Sequence, residues 1–284
     1  MRRSAPAKIN LGLAVGPRRE DGRHELLTVM QAITLCDELE ISDADGADSV
    51  VCPGVEGENL AARALSLFRE RSGWDGPGQL LRIDKHIPVA AGLGGGSSDA
   101  AASLALIAAR AGTEDETLVR EVATDLGADV PALLSPGRWL ARGAGEKLRA
   151  LPSPVGLWVL VLPAGHGLST AAVYDRADSL GIGRASSELD ALARKVHDEL
   201  AGGTDLPPAD LMRNDLEAAA ISLAPSIARS LERVRAIGAD HAMVAGSGPT
   251  VVGLFAGVAA RQRCAAAARA LNDGGNPALW AQAM

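Results

Sequence analysis

The chain has 284 residues, 47% apolar and 22% charged, a composition that suits a globular protein with a sizeable core. A net charge of −7 and a pI near 5.3 argue against nucleic acid or an acidic membrane surface as the main partner. No run approaches the roughly 18 apolar residues of a membrane span. The scattered Cys36, Cys52 and Cys264 form neither a metal spacing nor a disulfide framework, which points to buried thiols in a reducing cytoplasm.

Residues 1–10 carry two arginines and no apolar run, so they read as the start of the fold and not as a signal peptide. From Lys8 the sequence alternates, with Ile9, Leu11, Leu13 and Val15 on one side and Lys8, Asn10 and Gly12 on the other, which is strand periodicity. A Lys and an Asn on one strand face suit solvent as well as they suit a site. Residues 18–24 make a charged turn around Asp21-Gly22, a hairpin signal. Strands are expected over 26–35, 38–42, 50–51 and 79–84. A helical stripe over 59–71 places Asn59 as its N-cap.

Residues 88–102 then read PVAAGLGGGSSDAAA. Gly92, Gly94, Gly95 and Gly96 remove the Cβ atoms that would hold a ligand off the backbone. A helix over 100–111 follows, and its N-terminal N–H groups and dipole favour an anion. The stretch therefore reads as a phosphate cradle; the bland alternative is a helix entry capped by Ser97 or Ser98. No Lys follows the glycines, so this is not a P-loop, and a third glycine is missing for a dinucleotide fingerprint.

A helix over 113–126 closes on Gly127. Pro131 biases Val130 toward an extended conformation and puts Asp129 in a turn. Strands are expected at 138–141 and 147–151, with a domain boundary at 152–154. The second half offers a strand at 157–162, helices at 170–180, 187–200, 214–223 and 225–237, and a strand at 242–244. A second glycine loop, Gly246-Ser247-Gly248-Pro249-Thr250, precedes strand 251–255, helix 259–271 and a last strand at 277–283. This order favours α+β over a regular parallel α/β alternation.

The motifs Pro6-Ala7-Lys8-Ile9-Asn10, Pro88 to Ala102 and Ala245-Gly246-Ser247-Gly248-Pro249-Thr250, in that order, resemble those of the GHMP kinase superfamily, the galactose, homoserine, mevalonate and phosphomevalonate kinases. The stretches at 19–26, 83–88 and 126–131 resemble one branch in particular, whose acceptor is a methylerythritol bearing a cytidine diphosphate group. The resemblance runs from Arg2 to about Phe255 and is thin between Gly181 and Asp210. It implies an N-terminal ATP-binding domain (1–152) like the second domain of ribosomal protein S5, and a ferredoxin-like C-terminal domain (153–284). The reaction implied is transfer of the ATP γ-phosphate to the acceptor's 2-hydroxyl in non-mevalonate isoprenoid biosynthesis.

ATP and Mg2+ are the implied cofactors, although no paired carboxylates mark the metal's ligands. Lys8 and Asp129 match the catalytic pair, with Asp129 as base or both only orienting the hydroxyl. Asn59, Asp84, Lys85 and His86 match the adenine site. Pro88, Ala90, Gly92, Leu93, Gly94, Gly95, Gly96, Ser97 and Ser98 match the phosphate loop. Asn10, Arg23, His24, Thr170, Tyr174, Gly246, Ser247 and Gly248 match the acceptor side. The chain departs from the family where Arg23 replaces the usual Tyr of Asp-Gly-Tyr-His, and where Ala132 replaces a frequent Phe. The runner-up is another small-molecule kinase of the family, of homoserine or mevalonate type. From a different class stands a non-catalytic nucleotide-binding protein of the same fold.

Overall fold

Alternation builds two long strands first, β1 (Arg2–Arg18) and β2 (His24–Asp43). The two strands expected over 26–35 and 38–42 are one, because the polar Asp37 between them is fully buried with its carboxylate hydrogen-bonded. The computed structural model describes every residue except Ala209 and Asn276. Its residues group into two compact units. One comprises Met1–Ala7, Leu35–Val89 and Gly94–Pro136; the other comprises Lys8–Thr34, Ala90–Leu93 and Gly137–Met284. Compactness thus differs from a single cut after residue 152, because β1 and β2 each give one end to either unit.

In the first unit the end of β2 pairs antiparallel with β4 (Gln79–Asp84), Leu39 opposite Ile83, and β3 (Ser49–Val51) lies parallel to β4. The connection between β3 and β4 is α1 (Leu60–Ser72), whose Asn59 cap accepts the Ala61 N–H, as expected. Three further helices follow: α2 (Gly95–Ala111), α3 (Glu116–Leu126) and α4 (Val130–Leu134). Their alanines let the helices approach closely around Phe68, Leu104, Ile107 and Val122. Two local expectations change. Helix α2 starts five residues early, on Gly95, so Ser97 and Ser98 lie inside its first turn and do not cap it. Val130 is helical, since Pro131 sits in the first turn of α4 where its missing N–H costs nothing; Asp129 stays in the turn before it.

In the second unit the start of β2 pairs antiparallel with β5 (Arg138–Gly143), which pairs with β6 (Lys147–Leu151). Then come β7 (Trp158–Leu162), α5 (Thr170–Ser179), α6 (Ser186–Ala201), α7 (Glu217–Leu223), α8 (Ser226–Ala236), β8 (His241–Val244), β9 (Val251–Phe255), α9 (Ala260–Asp273) and β10 (Leu279–Gln282). The last four strands form an antiparallel sheet in the order β10-β7-β9-β8. Numbered within that sheet, the order is fourth, first, third, second, with helices in both crossovers, which is the ferredoxin-like α+β layer. Leu160, Val244, Val251 and Phe255 pack there with Ile227, Leu231, Cys264 and Leu271 of α8 and α9. Burial pushes the Cys264 thiol up to about 12, whereas Cys36 and Cys52 are only half-buried. Among the described residues no helix is long and apolar enough to cross a membrane.

Candidate active site

The first unit supplies an open helix terminus. Helix α2 begins after Gly94, whose φ of 71° lies in the left-handed region that suits glycine. Its first intrahelical bond runs from the Ser98 N–H to the Gly94 carbonyl. The N–H groups of Gly95, Gly96 and Ser97 precede it, and among the described residues no side chain caps them. The Ser98 hydroxyl instead donates to the Pro6 carbonyl, tying the helix to β1. Backbone donors and the positive dipole end are therefore presented without a competing acceptor, the arrangement an anion needs.

Lys85 turns inward beside this terminus. Its Nζ donates to Asp37 and, at 2.6 Å, to Asp99 Oδ2. Burial works against the Lys85 ammonium, but the hydrogen bonds to Asp37 and Asp99 outweigh it and hold its pKa above the ordinary value. Asp37 also accepts the N–H groups of His86 at 2.6 Å and Ile87 at 2.8 Å. Asp84 and His86 face solvent, Asn59 caps α1, and Pro88 lies just past β4. Asp129 is half-buried at the entry to α4 and does not cap that helix. Ala132 is buried within it.

The second unit gathers the other motifs. Lys8 is only 7% exposed, and its Nζ donates to Asn10 Oδ1 at 3.1 Å. Asn10 in turn donates to the Thr28 hydroxyl, which donates to the Gly12 carbonyl. This face of β1 is thus buried and hydrogen-bonded, which excludes the solvated reading. The Lys8 N–H donates to the Leu93 carbonyl, joining the first motif to the glycine loop. A Cβ on Gly92, at φ 75°, would come 2.8 Å from the Ala245 carbonyl oxygen and 3.0 Å from that of Gly248, so only glycine lets the two loops touch. Ala90, a non-glycine residue at φ 56°, marks strain in the same loop.

Residues expected on the acceptor side also meet in this unit. The His24 ring stacks on Tyr174, centroids 5.2 Å apart, and its Nε2 lies 2.8 Å from Asp178 Oδ1. Tyr174 packs against the core as well. A cleft of about 340 Å³ opens there, lined by His24, Asp178, Arg18 and Arg184 among others. Thr170 Oγ1 is 2.9 Å from Ser247 Oγ, which links α5 to the loop of Gly246 and Gly248. Arg23 lies back on Asp21, its Nε at 3.1 Å and Nη2 at 2.9 Å from Oδ2. Through its backbone N–H and guanidinium, Arg23 holds the Asp21 carboxyl below the usual range.

Several residues went unread in the sequence. Asp37 and Asp99 flank Lys85; Asp178 orients His24; Asn214 holds the second glycine loop, donating to the Val244 and Gly246 carbonyls at 2.9 and 2.6 Å. A charged residue in an apolar strand (Asp37) and in an alanine helix (Asp99) is the signal that was present.

An uncapped glycine-rich helix N-terminus in one unit, with a buried lysine in a strand motif and a ferredoxin-like layer in the other, suits a phosphoryl-transfer enzyme, and the chain belongs to the GHMP kinase family. Models of the GHMP kinases N terminal domain and the GHMP kinases C terminal match residues 59–137 and 189–273. The chain is similar along most of its length to proteins named 4-diphosphocytidyl-2-C-methyl-D-erythritol kinase. That of Pelobacter propionicus is 40% identical over 88% of this chain and 88% of its own. That of Nocardioides sp. is 39% identical over 98% and 95%. A crystal structure of 4-(cytidine 5'-diphospho)-2C-methyl-D-erythritol kinase superposes with a TM-score of 0.79 at 35% identity, covering 100% of this chain and 99% of the other. The fold is the two-domain α+β GHMP kinase fold, and the chain is an ATP-dependent small-molecule kinase.

Proposed function

We propose that this enzyme transfers the γ-phosphate of ATP to the 2-hydroxyl of 4-diphosphocytidyl-2-C-methyl-D-erythritol, giving the 2-phosphate and ADP. The observation that carries the reading is the α2 terminus, opened by Gly94 and left without a side-chain cap, in a chain about 40% identical to kinases of that name. Gly92 to Ser98 hold the phosphates; Asn59 and Lys85 border the adenine. Asn10, His24, Tyr174 and the Gly246–Gly248 loop receive the acceptor, with Tyr174 offering a ring to the cytosine.

Phosphoryl transfer is mostly positioning and charge neutralisation. Asp129 takes the proton of the 2-hydroxyl as the oxygen attacks the γ-phosphorus; the bond to the bridging oxygen breaks, and ADP leaves. Lys8, oriented by Asn10, neutralises charge on the transferring group. Among the described residues no group of three His, Cys, Asp or Glu could cage a metal. Mg2+ favours oxygen ligands and retained waters, so the ATP phosphates would hold it, and it would supply further charge neutralisation there.

The test is coupled ATP turnover with five acceptors side by side: the cytidine-diphospho-methylerythritol, mevalonate, phosphomevalonate, homoserine and galactose. Turnover on the first alone is expected. Turnover on another acceptor overturns the substrate; ATP binding without turnover on any favours a binding role.

A further inference from the structure

The Asp37–Lys85–Asp99 cluster is more elaborate than holding one lysine requires. Asp37 is fully buried and accepts from Lys85 Nζ and from two successive backbone N–H groups, those of His86 and Ile87. It therefore fixes the segment that leads from β4 to the glycine loop. Asp99 is 4% exposed, in the second turn of α2. Its Oδ2 accepts from Lys85, but its Oδ1 is buried with no hydrogen-bond partner among the described residues. A buried carboxylate oxygen in that state is costly unless it carries a proton. Two carboxylates on one ammonium carry a net negative charge, which one extra proton cancels. The cluster also touches the anion end of the helix: a Cβ on Gly95, the first residue of α2, would lie 3.4 Å from Lys85 Nζ.

Among the described residues, Lys85 and Asp37 are the charged groups that act on Asp99, and the half-buried Cys52 thiol lies within the field of all three. The rest of the core beside α2 is apolar, with Ala64 and Leu65 from α1, Val122 from α3 and Val130 from α4. Burial above all, opposed by Lys85 and reinforced by Asp37, pushes the Asp99 carboxyl up to about 7.

We propose that Asp37 and Asp99 are positioning residues of the nucleotide site, acting through Lys85 and the 85–87 backbone, and that Asp99 takes up a proton when ATP binds. The inference rests on the reading of α2 as the phosphate site. Negative phosphates arriving at the helix terminus disfavour a second ionised carboxylate beside Lys85. ATP binding then becomes weaker as pH rises through neutrality, by an amount set by this one group.

The experiment is calorimetric titration of Mg-ATP into wild type and Asp99→Asn from about pH 6 to pH 8.5, with two buffers of different protonation enthalpy at each pH. Asparagine keeps an acceptor for Lys85 but cannot titrate. The ratio of wild-type to variant Kd cancels the titration of ATP itself. It is expected to stay level below neutrality and to rise above it by up to about tenfold per pH unit, with proton uptake in the wild type exceeding that in the variant. A flat ratio with equal proton uptake overturns the role of Asp99. For Asp37→Asn, KM for ATP is expected to rise about tenfold or more while kcat and the acceptor KM hold, given that a hydrogen bond to a charged group is worth roughly 1.5–3 kcal/mol; equal loss in all three parameters overturns its positioning role. If neither wild type nor Asp99→Asn binds ATP, the nucleotide site itself is misassigned, which is a separate failure from a flat ratio.

Discussion

At the residue scale the chemistry concentrates in a few polar groups held by others. Lys8 is buried and aimed by Asn10, which is held by Thr28 in turn. Such a chain of hydrogen bonds holds the Lys8 side chain in one orientation. Asp129 stands at a helix entry where an aspartate commonly caps, yet its side chain does not cap α4. Asp129→Asn is nearly isosteric, so fold and ATP affinity are expected to persist while kcat falls by about 10²–10⁴-fold. Single-turnover kinetics beside ATP titration check this; near-normal turnover would remove Asp129 as base. The types Lys8 and Asp129 were legible because short motifs surround them. Asp37 and Asp99 were not, since a lone carboxylate gains meaning only from the lysine it meets 48 or 14 positions away.

At the element scale, local rules set most starts and stops. Asn59 caps α1 and Gly73 closes it in the left-handed conformation. The cap makes a two-part prediction. Asn59→Ala is expected to lower stability by about 1 kcal/mol and to raise KM for ATP. Asn59→Asp keeps the cap but loses the amide donor, so it raises KM for ATP with Tm preserved. Thermal unfolding and steady-state kinetics on both variants separate the roles; a Tm loss in Asn59→Asp equal to that in Asn59→Ala would defeat the separation. Expectations failed where a local rule met a tertiary partner. Helix α2 begins on glycines that are poor helix formers, because Ser98 is anchored to Pro6 and the turn is held from outside. The break expected at residues 36–37 closes because Asp37 has buried donors to satisfy it.

At the scale of the whole molecule, long-range ties within each unit carry what sequence pattern does not encode. Arg138 is 2% exposed, and burial lowers its pKa to about 10. Its guanidinium donates to Gln31 Oε1 and to the Thr204 and Asp205 carbonyls, joining β2 and β5 to the loop after α6. Arg138→Met keeps much of the volume but strands three acceptors, and urea unfolding is expected to show a loss of about 3 kcal/mol or more. A loss under about 1 kcal/mol would mean that water replaces the guanidinium. Gln31 also donates to the carbonyl of Met284, so the chain's last residue is held on β2. By itself the sequence determined the α+β class, most element positions, the glycine loop that opens a helix and the kinase family, because periodicity, caps and short motifs depend on neighbours along the chain. Only the tertiary structure decided that Lys8 is buried, that α2 is left uncapped, that Arg23 lies on Asp21 while His24 stacks on Tyr174, and that Lys85 stands between two carboxylates. Those depend on desolvation and on partners brought together from distant segments, and no local rule carries either.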